Sequence, residues 1–296
     1  MKKLAFSFVI IVFFVGAFHE AKGEERSVLL RWNIEDGSII GFREKSKIIG
    51  KENFFDVKKE KGRSYEGGDF FEELGSLTVP TGYSIIYLLR KEGNDTFQLL
   101  QIVESVIMPQ MDSSERSKSM MQMMKSIEGS VLIRCNIDES GNIVSPHINF
   151  AKKKNVALRF ELPKKHVKIG DTWSIDTTFL SFDNPSANKQ VKRTNQVKLT
   201  SLSKSSNGDT IATIEYKIYE KMIITSNDPK YKNEDLTMTS NFSATSKFLV
   251  EKGTLAEFKG RSRSKSTGIM TMDSEEFFSI MPTNKIPSKF LSLKQK

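Results

Sequence analysis

The sequence predicts a mainly β (α+β) protein in which a long antiparallel meander forms a curved sheet or half-barrel. Apolar residues recur at every second position in many segments, short turn signals separate those segments, and one stretch near 112–127 changes to a helical period.

The alternation is easiest to see where Val131, Ile133, Cys135 and Ile137 fall on one face and Leu132, Arg134, Asn136 and Asp138 on the other. Ala212, Ile214, Tyr216 and Ile218 follow the same rule, as do Val156, Leu158, Phe160 and Leu162, so strands are expected at all three places. The longest run goes from Leu236 through Met238, Phe242, Ala244 and Phe248 to Val250, opposite a face rich in hydroxyls. Asp36-Gly37, Gly93-Asn94-Asp95, Ser140-Gly141-Asn142, Asn207-Gly208-Asp209 and Lys252-Gly253 punctuate the runs, each with a residue tolerant of positive φ. Connections this short join antiparallel neighbours, because parallel ones need crossover helices. Strands of ten or more residues are expected over 82–91, 95–107, 190–203, 208–221, 236–250 and 254–267; strands so long twist and curl, giving a closed interior or a concave face. Ser181–Arg193, Ser226–Asp235 and Lys51–Gly68 lack the period and are expected as loops.

Residues 112–127 instead place Met120, Met123, Met124 and Ile127 on one helical face, with Met121 at its margin. Asp112 and Glu115 have the spacing of a capping box, and Gly129 stops the helix. A methionine stripe either fills a core or lines an adaptable site for an apolar ligand. On the second reading Met120, Met123, Met124 and Ile127 are the candidate ligand-lining residues.

The amino terminus carries the pattern of a cleavable export signal. Lys2 and Lys3 precede an apolar run from Leu4 to Phe18, and Ala21 and Gly23 follow at the spacing of a peptidase site. The run is shorter than the roughly 20 residues a membrane span requires, and no comparable stretch follows. Cleavage near Gly23 is expected, leaving a periplasmic or secreted chain with no transmembrane span. Residues 24–296 are then expected as one β-rich domain, with two halves meeting near 152–155 as the alternative. Cleavage takes three lysines and one glutamate from the formal charge of +9. The remaining excess is interspersed with carboxylates and reads as a solvated surface, not as a nucleic-acid groove. The single cysteine cannot form a disulfide within its own chain, so burial and sheet hydrogen bonds must stabilise the fold.

Chemistry-bearing patterns are few. His147 and His166 are far apart and belong to no metal-ligand spacing, and Cys135 lies on the apolar face of a patterned strand, where a thiol is inert. Asp138 and Glu139 sit beside a turn and read as solvated. No catalytic residue, metal or cofactor is expected. Adjacent rings in Phe54-Phe55, Phe70-Phe71 and Phe277-Phe278 would point to opposite faces of a strand, so one of each pair needs a cover.

The segment Leu162-Pro163-Lys164-Lys165-His166-Val167-Lys168-Ile169-Gly170-Asp171-Thr172-Trp173 resembles a phrase found in a family of uncharacterised exported bacterial proteins. The Gly141 turn before it and the Lys252-Gly253-Thr254-Leu255 hairpin after it resemble that family's order. The resemblance implies a β-rich envelope protein and transfers no functional residue. Physically, Gly170-Asp171 makes a tight turn and Trp173 anchors the next strand in the core. The expectation is a non-enzymatic exported protein that binds a hydrophobic small molecule or lipid within a curved sheet. A structural or adhesive envelope protein that binds another protein is the alternative, and a hydrolase a distant third.

Overall fold

The computed structural model describes residues 26–50, 56–57, 81–93, 95–110, 115–146, 148, 150–180, 187–226, 235–268 and 270–291. The expected signal segment 1–23, Asp112, His147, Phe54-Phe55, Phe70-Phe71 and most of the loops expected over 51–68 and 226–235 lie outside the described residues.

One antiparallel sheet dominates. Its strands are β1 (Ile39–Gly50), β2 (Asp56–Val57), β3 (Gly82–Lys91), β4 (Thr96–Ile107), β5 (Val131–Asp138), β6 (Thr172–Trp173), β7 (Ala187–Lys204), β8 (Thr210–Ser226), β9 (Asp235–Leu249), β10 (Thr254–Thr267) and β11 (Met270–Pro282). They lie in the order β5-β4-β3-β1-β11-β10-β9-β8-β7-β6, with β2 paired to β11. The first long strand therefore stands beside the last, Phe42 opposite Pro282 and Gly50 opposite Ser274. The sheet is not closed, because β5 and β6 form its two edges. The strands expected over 82–91, 95–107, 208–221, 236–250 and 254–267 are found within a few residues; the one expected to begin at 190 begins at Ala187, inside the loop expected over Ser181–Arg193. Helix α1 (Glu115–Ser126) lies within the predicted helical stretch, and Gly129, at φ 87°, follows it.

One strand expectation is overturned. Residues Phe150–Phe160 form helix α2, although Val156, Leu158 and Phe160 alternate as in a strand. Val156, Ala157, Leu158 and Phe160 are all buried, so the helix is covered on more than one side and shows no single apolar stripe. Ala157, Leu158 and Arg159 favour helix, and Pro163 follows its end.

The filling of the inner face shows that the sheet curls. Trp32 N–H donates to Glu139 O at 2.8 Å, beside edge strand β5, and Asn33 N–H to Gly253 O at 2.9 Å, in the β9–β10 turn. Strands β5 and β10 are five steps apart, about 24 Å in a flat sheet at ~4.8 Å per step. Adjacent residues can touch both only if the sheet is strongly bent. The Trp32 ring also packs on Phe42 of β1, Phe160 of α2 and Phe248 of β9, at 5.9, 5.4 and 5.3 Å between centroids. Its Nε1–H donates to Phe160 O at 2.7 Å. Inward-facing residues of nine strands, together with α2 and residues 28–34, thus share one core.

Among the described residues the outer face is covered over β3 and β4. Residues 283–291, ending in the short helix α3 (Ser288–Leu291), lay Phe290 and Ile286 against Ile86, Leu88, Leu100 and Ile102. Over β9, β10 and β11 the outer face carries ion pairs such as Arg263–Asp273 at 2.9 Å and Lys247–Glu257 at 3.2 Å, with both basic residues about half exposed. Such pairs add little stability and suit a solvated surface. Phe277 is 40% exposed on this side whereas Phe278 is buried in the core, the opposed placement expected of adjacent rings in a strand.

Gly253 and Gly208 separate two costs of a turn. Both have positive φ, 58° and 85°. A Cβ at Gly208 would meet nothing, whereas at Gly253 it would lie 2.5 Å from Asn33 N and 2.7 Å from Arg31 O. Gly208→Ala should cost only the backbone strain, about 1–2 kcal/mol. Gly253→Ala should cost more, about 2–4 kcal/mol, because it also pushes residues 31–33 off the sheet ends. Urea unfolding of the two variants checks the order.

Candidate functional site

The interior is sealed at the end where β3 turns into β4 and β9 into β10. There the inward-facing Phe42, Leu89, Phe97, Ile137, Leu199 and Phe248 are all at most 3% exposed. Toward the opposite end the inward-facing Ile48, Tyr83, Ser264, Met272, Ser274 and Glu276 keep part of their surface, whereas Ser240 and Ser266 are buried. The β8–β9 side of that end is filled by Leu180, Met222, Ile224 and Leu236.

Between the two halves lies a buried polar network on β1, β3, β4, β11 and α2. Arg159 forks onto Glu44, Nε to Oε2 at 2.9 Å and Nη2 to Oε1 at 2.7 Å. The Tyr87 hydroxyl donates to the same carboxylate, and Gln101 Nε2 donates to the Tyr87 oxygen at 3.3 Å. The guanidinium also stands 5.8 Å from the centroid of the Phe278 ring. Nearer the open end, the Tyr83 hydroxyl donates to Glu276 Oε1. Glu44 is wholly buried. Such a pair is held by desolvated charge and by hydrogen bonds that use the fork fully.

Protonation states follow from burial. Burial opposes the charge of Arg159, but Glu44 and Tyr87 reverse the balance and hold the guanidinium's pKa well above its ordinary value. Burial, aided by Glu44, raises both tyrosine hydroxyls, so both remain donors. Burial likewise raises Glu276, against the pull of the Tyr83 hydroxyl and Arg159. Two carboxylates thus share one guanidinium, and Glu44 takes its fork.

A second cleft, of about 270 Å³, is lined by Asp138, Asn142, Lys153, Glu161, Lys164 and Asp176 among others. Its groups are largely engaged with one another. Asp138 Oδ1 accepts Ser140 N–H and Asn142 N–H at 2.8 and 2.9 Å, and Lys153 is paired with Asp176. This is the chemistry of a fixed turn and a helix flank.

The residues singled out in the sequence lie outside this network. Met123 of helix α1 is 56% exposed and Ile127, just past its end, 37%; Met121 and Met124 are partly covered, and none of the four is in a buried core cluster. Met120 lies on the same helix, its side chain outside the described set. Gly170 adopts φ 98° and donates its N–H to Leu199 O at 2.8 Å, and Asp171 Oδ2 accepts Lys168 N–H at 2.8 Å. Trp173 pairs with Val197 in β6–β7 and packs on the main core. Cys135 is buried, which pushes its thiol up to about 12. His166 is exposed. Among the described residues no group of three or more His, Cys, Asp or Glu is placed to hold a metal.

Sequence reasoning missed Glu44, Tyr83, Tyr87, Arg159 and Glu276. For the four on strands the signal is a charged or hydroxylated residue on the core parity, as in Phe42-Glu44-Ser46-Ile48 and Ser274-Glu276-Phe278-Ile280; Arg159, on α2, carries no such signal.

Glu44→Gln should cost about 3–5 kcal/mol in urea unfolding, because it strands a buried guanidinium, and a second change, Arg159→Met, should recover much of the loss. Glu276 is raised in the folded state, so its contribution is fully present below the ordinary glutamate value and is lost as pH rises through the folded value. Relative to Glu276→Gln, the natural chain should therefore lose stability as pH climbs from about 4 toward neutrality, read from melting temperatures of both across that range. No protein-family model matches this chain, and no curated protein matches it.

Proposed function

We propose that this is an exported, non-enzymatic carrier that holds an apolar or amphiphilic small molecule in the partly open half of its curved sheet. The observation that carries the reading is the asymmetry of the interior, filled with large apolar side chains at one end and lined, among the described residues, by smaller, hydroxylated and partly exposed ones at the other. Ligand sites are typically concave and largely apolar, with a few placed polar groups, and this region has that composition. Ile48 and Met272 supply apolar surface; Tyr83, Ser264, Ser274 and Glu276 supply the polar groups. Helix α1 links the ends of β4 and β5 on that side of the sheet, and on this reading its Met123, with Met121 and Met124, offers the ligand adaptable apolar surface. Export is argued from the amino-terminal charge and apolar pattern of residues 1–23, and the Gly170-Asp171-Thr172-Trp173 phrase is consistent with an envelope role.

The second reading, attachment to another protein, rests on the outer edge of β7. β6 pairs with β7 only at Val197 and Lys198, so among the described residues the outer edge of 189–194 has no strand beside it. That edge carries Lys192 and Arg193, the charges that discourage strand addition, and this favours the carrier.

Protein purified from the expressing cell without denaturation should release a lipid-like molecule on solvent extraction, or should bind the neutral dye N-phenyl-1-naphthylamine saturably with its melting temperature intact. Neither extractable ligand nor saturable dye binding would remove the carrier reading.

A further inference from the structure

The excess positive charge of the chain gathers on the outer face of the sheet. There Lys217, Lys247, Lys259, Arg261, Arg263 and Lys265 are each half or more exposed and share four carboxylates, Glu215, Glu257, Asp273 and Glu275. Lys45 and Lys47 of β1, Lys192 and Lys198 of β7 and Lys221 of β8 add to the same face, and none of them forms an ion pair among the described residues. Cations therefore outnumber carboxylates across six adjacent strands, from β1 through β11 to β7. Exposed pairs of this kind hold their partners weakly, so the cations are available to a denser array of anions.

Three exposed apolar side chains stand in the same field, Phe277 at 40%, Met281 at 44% and Ile49 at 49%. Phe277 is flanked directly by Lys47 on β1 and Arg261 on β10, and Met281 stands opposite Arg43. A ring between two long cations suits a boundary between charged head groups and hydrocarbon, since the cations stay with the phosphates while the ring enters the apolar layer.

We propose that this outer face is a peripheral docking surface for a bilayer containing anionic phospholipid, with Lys47 and Arg261 at the phosphates and Phe277 inserted between them. The proposal goes beyond the carrier reading and does not depend on what the interior holds. Shape and composition favour a lipid surface over a nucleic acid. The sheet bends around residues 28–34 and α2, so its outer face is convex and has no groove to track a phosphate backbone. Ile49 and Met281 offer no ring on which a base could stack, whereas a head-group layer takes up aliphatic side chains readily.

Co-sedimentation of protein purified from the expressing cell, with vesicles of phosphatidylcholine alone or with about 30% phosphatidylglycerol, tests this. Binding should require phosphatidylglycerol and should fall steeply between about 0.1 M and 0.5 M salt. The double variant Lys47→Glu with Arg261→Glu should bind about tenfold more weakly, and its melting temperature should hold because both side chains are exposed. Lys165→Glu with Lys168→Glu, the same charge change made in the loop before β6, should bind nearly as the natural chain does. Phe277→Ser should weaken binding about fivefold and leave the salt dependence in place. Equal binding to both vesicles, or an equal loss in the two double variants, would overturn the assignment of this face. So would a Phe277→Ser variant that binds undiminished. A single-stranded oligonucleotide bound in preference to the vesicles, and lost in the Lys47 and Arg261 variant, would make the partner a nucleic acid and overturn the lipid assignment.

Discussion

Trp32 and Asn33 hold together strand ends that a flat sheet would keep far apart, and the rest of the architecture depends on that bend. The Trp32 ring touches β1, α2 and β9 at once, and its indole N–H fastens the last carbonyl of α2. A ten-strand meander on its own has two free edges and no reason to curve around a particular filling. Here residues 28–34 and α2 are the filling, and they fix both the radius of the sheet and the end at which its interior is sealed.

The polar network sits where that filling stops. An apolar contact in place of Arg159 and Glu44 would pack as well, and a buried ion pair is weak evidence for stability as such. Its geometric demands are stricter, however. A forked guanidinium satisfied at 2.7 and 2.9 Å, with Tyr87 on the same carboxylate, admits one placement of α2 along the sheet axis. The pair therefore sets how deep the helix sits in the curl of the sheet.

Period-two alternation made most of the strands legible, since a half-buried strand writes its inward face directly into the chain. The glycine turns at Gly141, Gly208 and Gly253 were legible for the same local reason, because their positive φ is a property of the backbone itself. Helix α2 was hidden by its own burial, since Ala157 occupies a position that a strand reading assigns to the solvent face. The network was hidden too, because Glu44, Arg159 and Glu276 lie 115 and 117 residues apart along the chain and meet only through the order of the strands. The methionine face of α1 was visible as a pattern, yet a pattern does not say which surface a helix turns toward its neighbours.

The pairing of β1 with β11 has a temporal meaning. Strand β11 follows every other described strand along the chain, yet it occupies the middle of the sheet, between β1 and β10. Until residues 270–282 arrive, two partial meanders exist with raw hydrogen-bonding borders facing each other. A chain lacking residues 270–282 thus loses the keystone of the sheet rather than its margin, because that one strand is what joins the two halves.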